Sequence, residues 1–279
     1  MPIHDQGYRR YAGQRLPWGR AWLIIARSGI RSMLRRRGFV ALLLLSWLPF
    51  LVRAVQIYAA TNLPQAEFLA PTGETFRQFL GQQDVFLFFI TVYAGAGLVA
   101  NDRRANALQI YLARPITRVE YIVGKLAVLL AFLLLVTWAP AILLIVVQLL
   151  FAGNVTFLSS HLYLLPAITL FAAVQALTVA LTMLALSSLS RSSRYVGILY
   201  AALLFFTQAI TLVLRAVTGH SGLAWLSLAS SLEQLGNAIF RMPPRYDAPL
   251  VLCLLMIAAA IGLSFLVLER RVRGVEVIA

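Results

Sequence analysis

Asn101–Lys125 reads NDRRANALQIYLARPITRVEYIVGK and lies between two apolar runs. Within Asn101–Ala113 the apolar side chains of Ala105, Leu108, Tyr111 and Leu112 fall at helical spacing, while Arg103, Arg104, Asn106 and Gln109 point elsewhere. Pro115 cannot continue that helix and also restricts Arg114 to an extended conformation, so the chain turns there. Thr117 can then cap a new helix, with Glu120 three residues on at the spacing of a capping box. From Val123 this second helix runs into apolar sequence. The stretch therefore predicts a short amphipathic helix near 102–113, lying across a membrane face and joined through a proline corner to a spanning helix. Such a part can pass force from a soluble partner into a membrane domain. The plainer alternative is a loop that only connects two helices.

The rest of the chain supplies that membrane domain. Of its 279 residues 61% are hydrophobic and 12% charged, and the mean hydropathy is +0.82. That describes an all-α integral membrane protein rather than a soluble core. Six apolar runs occur, at Gly38–Tyr58, Val85–Ala100, Val123–Leu150, Leu162–Leu189, Val196–Val217 and Pro249–Leu268. Most reach the about twenty residues that a helix needs to cross a bilayer core. The second is short and must borrow flanking residues; the third and fourth are long enough to tilt or protrude. Pro140 should kink the third.

The net charge of +14 would suit nucleic acid, but its placement argues otherwise. With the N-terminus in the cytoplasm, nineteen of the 24 Lys and Arg residues fall on the cytoplasmic side. The outer side holds Arg53, Arg77, Arg215, Arg241 and Arg245. This positive-inside asymmetry puts both termini in the cytoplasm and leaves no case for a nucleic-acid partner. Residues 1–37 form a basic tail. From Trp18 an apolar stripe of Trp22, Ile25, Gly29 and Met33 alternates with Arg20, Arg27 and Arg31, which predicts an interfacial amphipathic helix before the first span. Its Trp side would face lipid and its Arg side anionic headgroups, or its charges would act only as a topological anchor. Residues 38–279 then make one six-span domain.

On the outer side, Ala59–Asp84 is polar and rich in turn residues, and Phe151–His161 is short and uncharged. Thr218–Ala248 differs. Trp225, Leu228, Leu232, Leu235 and Ile239 form a stripe at helical spacing, opposed by Ser227, Ser231, Glu233, Gln234 and Asn237. We expect a helix between spans five and six, in or dipping into the outer leaflet and ended by Met242-Pro243-Pro244.

Catalytic chemistry is hard to find. His4, His161 and His220 sit in separate segments, and the lone Cys253 completes no ligand set, so no metal site is expected. No phosphate loop occurs, so the chain has no means of this kind to bind ATP, and it shows no pair of intramembrane carboxylates. No catalytic residue and no resident cofactor are therefore expected. Among polar residues in the spans, Arg53 can snorkel outward or line a pathway. Gln175 and Gln208 can line a pathway or hydrogen-bond between helices.

Asp102–Lys125 resembles the permease subunits of type-2 ABC transporters. The family pattern has an acidic residue, a small-residue pair, Leu-x-x-Leu-Leu-x-x-Pro, a hydroxyl residue, Arg, and Gly-Lys at the start of the third span. Here those positions read Asp102, Asn106-Ala107, Leu108, Tyr111-Leu112, Pro115, Thr117, Arg118 and Gly124-Lys125. Asp102 replaces the more usual Glu, Asn106-Ala107 replaces Gly-Thr, and Tyr111 stands for a leucine. The Arg-rich helix before the first span, the helical segment between spans five and six and the basic tail Glu269–Glu276 also look like that family. The resemblance implies a half-transporter in a plasma (bacterial inner) membrane, working as an exporter. It would pair with a second copy or a paralogue and dock cytoplasmic ABC ATPase subunits, which carry the ATP and Mg. Asp102, Arg103, Arg104, Leu108, Tyr111, Leu112, Arg114, Pro115 and Arg118 would form the coupling element. The competing reading is a membrane enzyme acting on lipid, or a scaffold, with no ATPase partner.

Overall fold

The structure, a computed structural model, describes residues 21–62, 72–107, 116–152 and 161–272. All regular secondary structure among them is helical. Six helical stretches are long and apolar enough to cross a membrane: Arg37–Asn62, Gly73–Arg104, Arg118–Phe151, Leu164–Leu189, Ser193–Thr218 and Leu250–Arg271. They match the six predicted runs one for one, the fourth and sixth helices starting two residues and one residue later than read. Before them α1 spans Ala21–Leu34.

Three spans are interrupted, and two of the breaks lie just ahead of a proline. The first span divides into α2, Arg37–Leu45, and α3, Leu48–Asn62. Pro49 has no N–H to give the Leu45 carbonyl and its ring crowds that turn, so the helix restarts around Ser46. The buried Ser46 hydroxyl donates to the Leu43 carbonyl at 2.6 Å. Hydropathy alone gave no sign of this break. In the third span, α7 (Arg118–Val136) gives way to α8 (Trp138–Ala152) at Thr137. Pro140 cannot donate to the Val136 carbonyl, so the expected kink lies one turn ahead of the proline.

The second span departs most from expectation. It begins well outside the apolar run as α4, Gly73–Gln82, breaks at Gln83, and continues as α5, Asp84–Ile90. A π turn over Thr91–Gly95 leads into α6, Ala96–Arg104. The Ser187 hydroxyl accepts from the N–H groups of Val99 and Ala100 and donates to the Ala96 carbonyl. A side chain from another helix thus enters the helical ladder of α6, beside a π turn.

The fourth span, α9 (Leu164–Leu189), is the core helix. It is apolar on every side and buried along its length, as such a helix must be. It packs against α6, α7, α10 (Ser193–Thr218) and α12 (Leu250–Arg271). Gly95 allows the closest approach: a Cβ there would lie 2.5 Å from Met183 Cγ. Small residues in a span serve close helix packing here. By contrast α3, α10 and α12 leave large apolar side chains such as Val52, Phe205, Phe206 and Val251 exposed.

Two amphipathic helices present their faces differently from the sequence reading. In α1 the stripe residues Ile25 and Gly29 face α7 and Met33 is buried, while Trp22 of the same stripe stays exposed. A Cβ on Gly29 would lie 2.6 Å from Val128 Cγ2, and one on Gly124 would lie 2.8 Å from Ile25 Cβ. The exposed flank is Leu23, Ile24, Arg27 and Arg31. The helix between spans five and six is α11, Leu228–Ile239. Its apolar stripe packs on Ile257, Val174 and Leu204 within the protein. Ser230, Ser231 and Gln234 on its polar face are buried as well, so it is a wedge between helices rather than a leaflet-bound helix.

Candidate functional site

Polar structure gathers at both ends of the bundle. At the basic end, helix α6 does not stop with the apolar run at Ala100 but runs on through Asn101, Asp102, Arg103 and Arg104. Residues 102–104 of the expected amphipathic helix near 102–113 therefore belong to α6. The chain leaves α6 at Ala105 and turns at Asn106, whose φ of 52° lies in the left-handed region that Asn tolerates. Leu108, Tyr111, Leu112, Arg114 and Pro115 lie outside the described residues. Helix α7 then starts where predicted: the Thr117 hydroxyl accepts from Glu120 N–H at 3.2 Å, and Glu120 Oε2 accepts from Thr117 N–H at 2.9 Å.

Both flanks of that segment are fixed. Lys125 Nζ lies 2.7 Å from Asp102 Oδ2, with the two side chains only 12% and 18% exposed. Tyr121 donates its phenolic proton to the same oxygen at 2.7 Å. Tyr121 and Lys125 stand one turn apart on one face of α7, so both reach the end of α6. Arg103 donates to the Ser188 carbonyl at the end of α9, whereas Arg104 and Arg118 are exposed. On the other side of α7, the N–H of Ala21 donates to Glu120 Oε1 at 3.4 Å. Four helices, α1, α6, α7 and α9, thus meet at the foot of the 103–124 segment. The sequence reading included Asp102 but named Lys125 only within the Gly124-Lys125 pair and overlooked Tyr121. An i, i+4 pair of donors opposite a lone carboxylate was the available signal.

The opposite, far end holds a cavity of about 720 Å³ between α4, the start of α5, α11 and the chain at 242–245. An inner pocket of about 110 Å³ shares the walls Arg77, Asp84, Ala229 and Glu233. Gln175 lines the inner pocket and Gln208 the outer cavity. Gln175 Nε2 donates to Asp84 Oδ1 at 2.7 Å. Gln208 Oε1 accepts from the hydroxyls of Ser227 and Ser230, tying α10 to α11. Both glutamines thus hydrogen-bond between helices, the second of their two readings, and each also lines a cavity. Arg53 is elsewhere: it donates to Gln56 and Gln78 and links α3 to α4.

Arg77 went unnoticed in a segment that reads as loop. It is 6% exposed, donates to Asn237 Oδ1 at 3.1 Å and to the Glu233 carbonyl at 3.2 Å, and lies 4.9 Å from the Phe171 ring centre. Phe76, Phe79 and Leu80 beside it mark a helix face that a closer reading could have found. Glu233 itself is engaged by Arg245 and by the Tyr246 hydroxyl. Among the described residues no group of three or more His, Cys, Asp or Glu lies together.

The family model described as ABC-2 family transporter protein matches residues 33–208, well over half of the chain. This chain belongs to the ABC-2 transporter family. The match starts at the end of α1 and includes the first four spans and most of the fifth, with the whole Asp102–Lys125 junction inside it. An ABC-2 membrane protein is a permease component of an ABC transporter and in general associates with an ABC ATPase. The six spans accord with a multi-pass membrane permease. No curated protein matches the chain.

Proposed function

We propose that this permease is one half of an ATP-driven exporter, and that the segment after Asp102 is where a separate ATPase moves it. The observation that carries the reading is the clamp of Asp102, Tyr121 and Lys125. A push on the segment between residues 103 and 124 cannot be absorbed locally, because its two flanks are joined by an ion pair and a hydrogen bond. The displacement passes instead into α6 and α7, and through Arg103 to α9. Leu108, Tyr111 and Leu112, spaced as for one helical face in the sequence, are the apolar residues that an ATPase groove would grip.

Both termini lie in the cytoplasm in this account, which places nineteen of the 24 basic side chains beside the ATPase and the inner leaflet. A second copy or a paralogue completes the pathway, and the membrane is a plasma membrane. ATP and Mg belong to the partner, so the permease has no catalytic residue of its own. Affinity capture from native membranes in mild detergent tests this reading. A soluble ATPase should co-purify with the wild-type chain and be lost from a Leu108→Asp, Leu112→Asp variant. Equal capture by both, or none by either, overturns it.

A further inference from the structure

The far-end cavity has a chemistry of its own. Its charged groups are mostly committed: Glu233 to Arg245 and Tyr246, Arg77 to Asn237 and the Glu233 carbonyl, and Glu74 to the Gln78 amide. Asp84 differs. It accepts a hydrogen bond from the neutral Gln175 amide, and among the described residues no cation lies within ion-pair distance. Its side chain is open to the cavity.

A second observation points the same way. Gln175 is 4% exposed, and with its Nε2 given to Asp84 its Oε1 is buried without a hydrogen-bond partner. A buried acceptor left unpaired carries the full cost of its desolvation, and it signals a missing donor. Both Gln175 and Asp84 line the inner pocket, whose other walls include Leu87, Phe88, Tyr200 and Leu204. The Phe88 and Tyr200 rings are stacked, with centroids 5.9 Å apart. Two acceptors, one of them an unpaired carboxylate, therefore stand at the mouth of an apolar, aromatic-walled recess.

We propose that this cavity binds an amphiphile carrying a protonated amine. The ammonium donates to Asp84 and Gln175, and the apolar body lies against Phe88, Tyr200 and Leu204. An ammonium in front of aromatic walls also gains from their quadrupoles. An anion is disfavoured by Asp84, since the Arg77 guanidinium is turned into α11 and Phe171. As the substrate of transport the amphiphile rests on the permease reading; as a ligand it does not.

The test uses the full chain in lipid nanodiscs without ATPase. The probe is dansylcadaverine, which joins a primary ammonium through a pentyl chain to a fluorescent aromatic head. Its N-acetyl derivative is the neutral control, and empty nanodiscs set the background. Saturable binding of the amine, with the acetylated probe weaker by about tenfold or more, is the expected result, since one charge-assisted hydrogen bond is worth that much. Asp84→Asn should weaken the amine by a similar factor and leave the acetylated probe unchanged. Ala229→Trp fills the space shared by the two compartments while leaving both acceptors in place, and it should abolish binding of the amine. It decides the matter if Asp84→Asn fails to fold. Equal binding of the two probes, binding that survives Ala229→Trp, or no saturation above empty nanodiscs overturns the proposal. Amine binding without ATPase capture from native membranes would keep the site and remove its transport role; capture without binding would do the reverse.

Discussion

The Lys125 ammonium at the start of the third span lies 2.7 Å from the Asp102 carboxylate at the end of the second, and both are largely withdrawn from water. An ion pair in this setting is worth little as a source of stability but costs a good deal to break from one side. Lys125→Met should therefore destabilise the protein by about 2–4 kcal/mol, because Asp102 loses its cation and keeps its burial. Tyr121→Phe removes one hydrogen bond to the same oxygen and should cost about 1 kcal/mol. Thermal unfolding in detergent, run on both variants, on Asp102→Asn and on the Asp102→Asn, Lys125→Met double variant, checks this. The double variant should be less damaged than Lys125→Met. A double variant worse by the sum of two single losses would mean that the residues do not act as a pair.

The seam between α1 and α7 gives a graded prediction. A Cβ on Gly124 meets Ile25 Cβ at 2.8 Å and the Trp22 carbonyl oxygen at 3.0 Å, and backbone cannot rotate away. A Cβ on Gly29 meets the Val128 side chain first, at 2.6 Å, and its three nearest neighbours are all atoms of that side chain. Gly124→Ala should thus lift α1 from α7 at a cost of about 1–3 kcal/mol, with Gly29→Ala clearly milder. Hydrogen exchange of α1 amides reads the outcome. Faster exchange in Gly29→Ala than in Gly124→Ala would contradict the packing.

Arg77 holds α4 against α11 through Asn237, the Glu233 carbonyl and the Phe171 ring. Arg77→Ala strips the donors from two acceptors and should destabilise the far end by about 2–4 kcal/mol. Lys at this position keeps the charge but not the planar fork, so Arg77→Lys should recover only part of that loss. Unfolding midpoints of the three proteins, ordered wild type, Arg77→Lys, Arg77→Ala, are the expected result. Full recovery by lysine would reduce Arg77 to a point charge.

At the turn before the sixth span, Asp247 Oδ2 accepts the Ser221 hydroxyl at 2.6 Å and the Ser221 N–H at 3.0 Å. These bonds to Ser221, the side-chain bond first, hold the Asp247 carboxyl below its ordinary value. A group whose folded value lies below its unfolded one stabilises the fold above the unfolded value, near pH 4 for Asp, and stops doing so as the pH falls through the folded value. The stability gap between wild type and Asp247→Asn should be flat from about pH 8 to about pH 5 and shrink below about pH 4. A gap that keeps its size in acid would separate Asp247 from this linkage.

How much of this could be read beforehand depended on the kind of signal. The six spans were legible because crossing a bilayer demands a long apolar run, and the Thr117–Glu120 cap because its donors and acceptors are adjacent in sequence. Pro140 announced its kink; Pro49 lies as close to a break but sits in a run so apolar that the hydropathy hid it. Helix α4 was missed because its face alternates Phe76, Phe79 and Leu80 with polar residues, and Thr72, which reads as a turn residue after Pro71, is its N-cap. The far-end site was out of reach for a different reason. Asp84, Gln175 and Glu233 are far apart in the chain, and only the wedge of α11 between helices brings them to one cavity. The buried faces of α1 and α11 could not be told from lipid-facing ones, since an apolar stripe does not say what covers it.

The account's central claim is that motion entering beside Asp102 reaches the far-end cavity. Maleimide labelling of an Ala229→Cys chain in its complex with the captured ATPase measures this directly, with the parent chain, whose one cysteine is the buried Cys253, as background. The labelling rate at 229 should change several-fold on adding ATP and Mg, and the change should vanish when Lys125→Met opens the clamp. A rate at 229 that ignores ATP, or an ATP response that persists without the clamp, would contradict it.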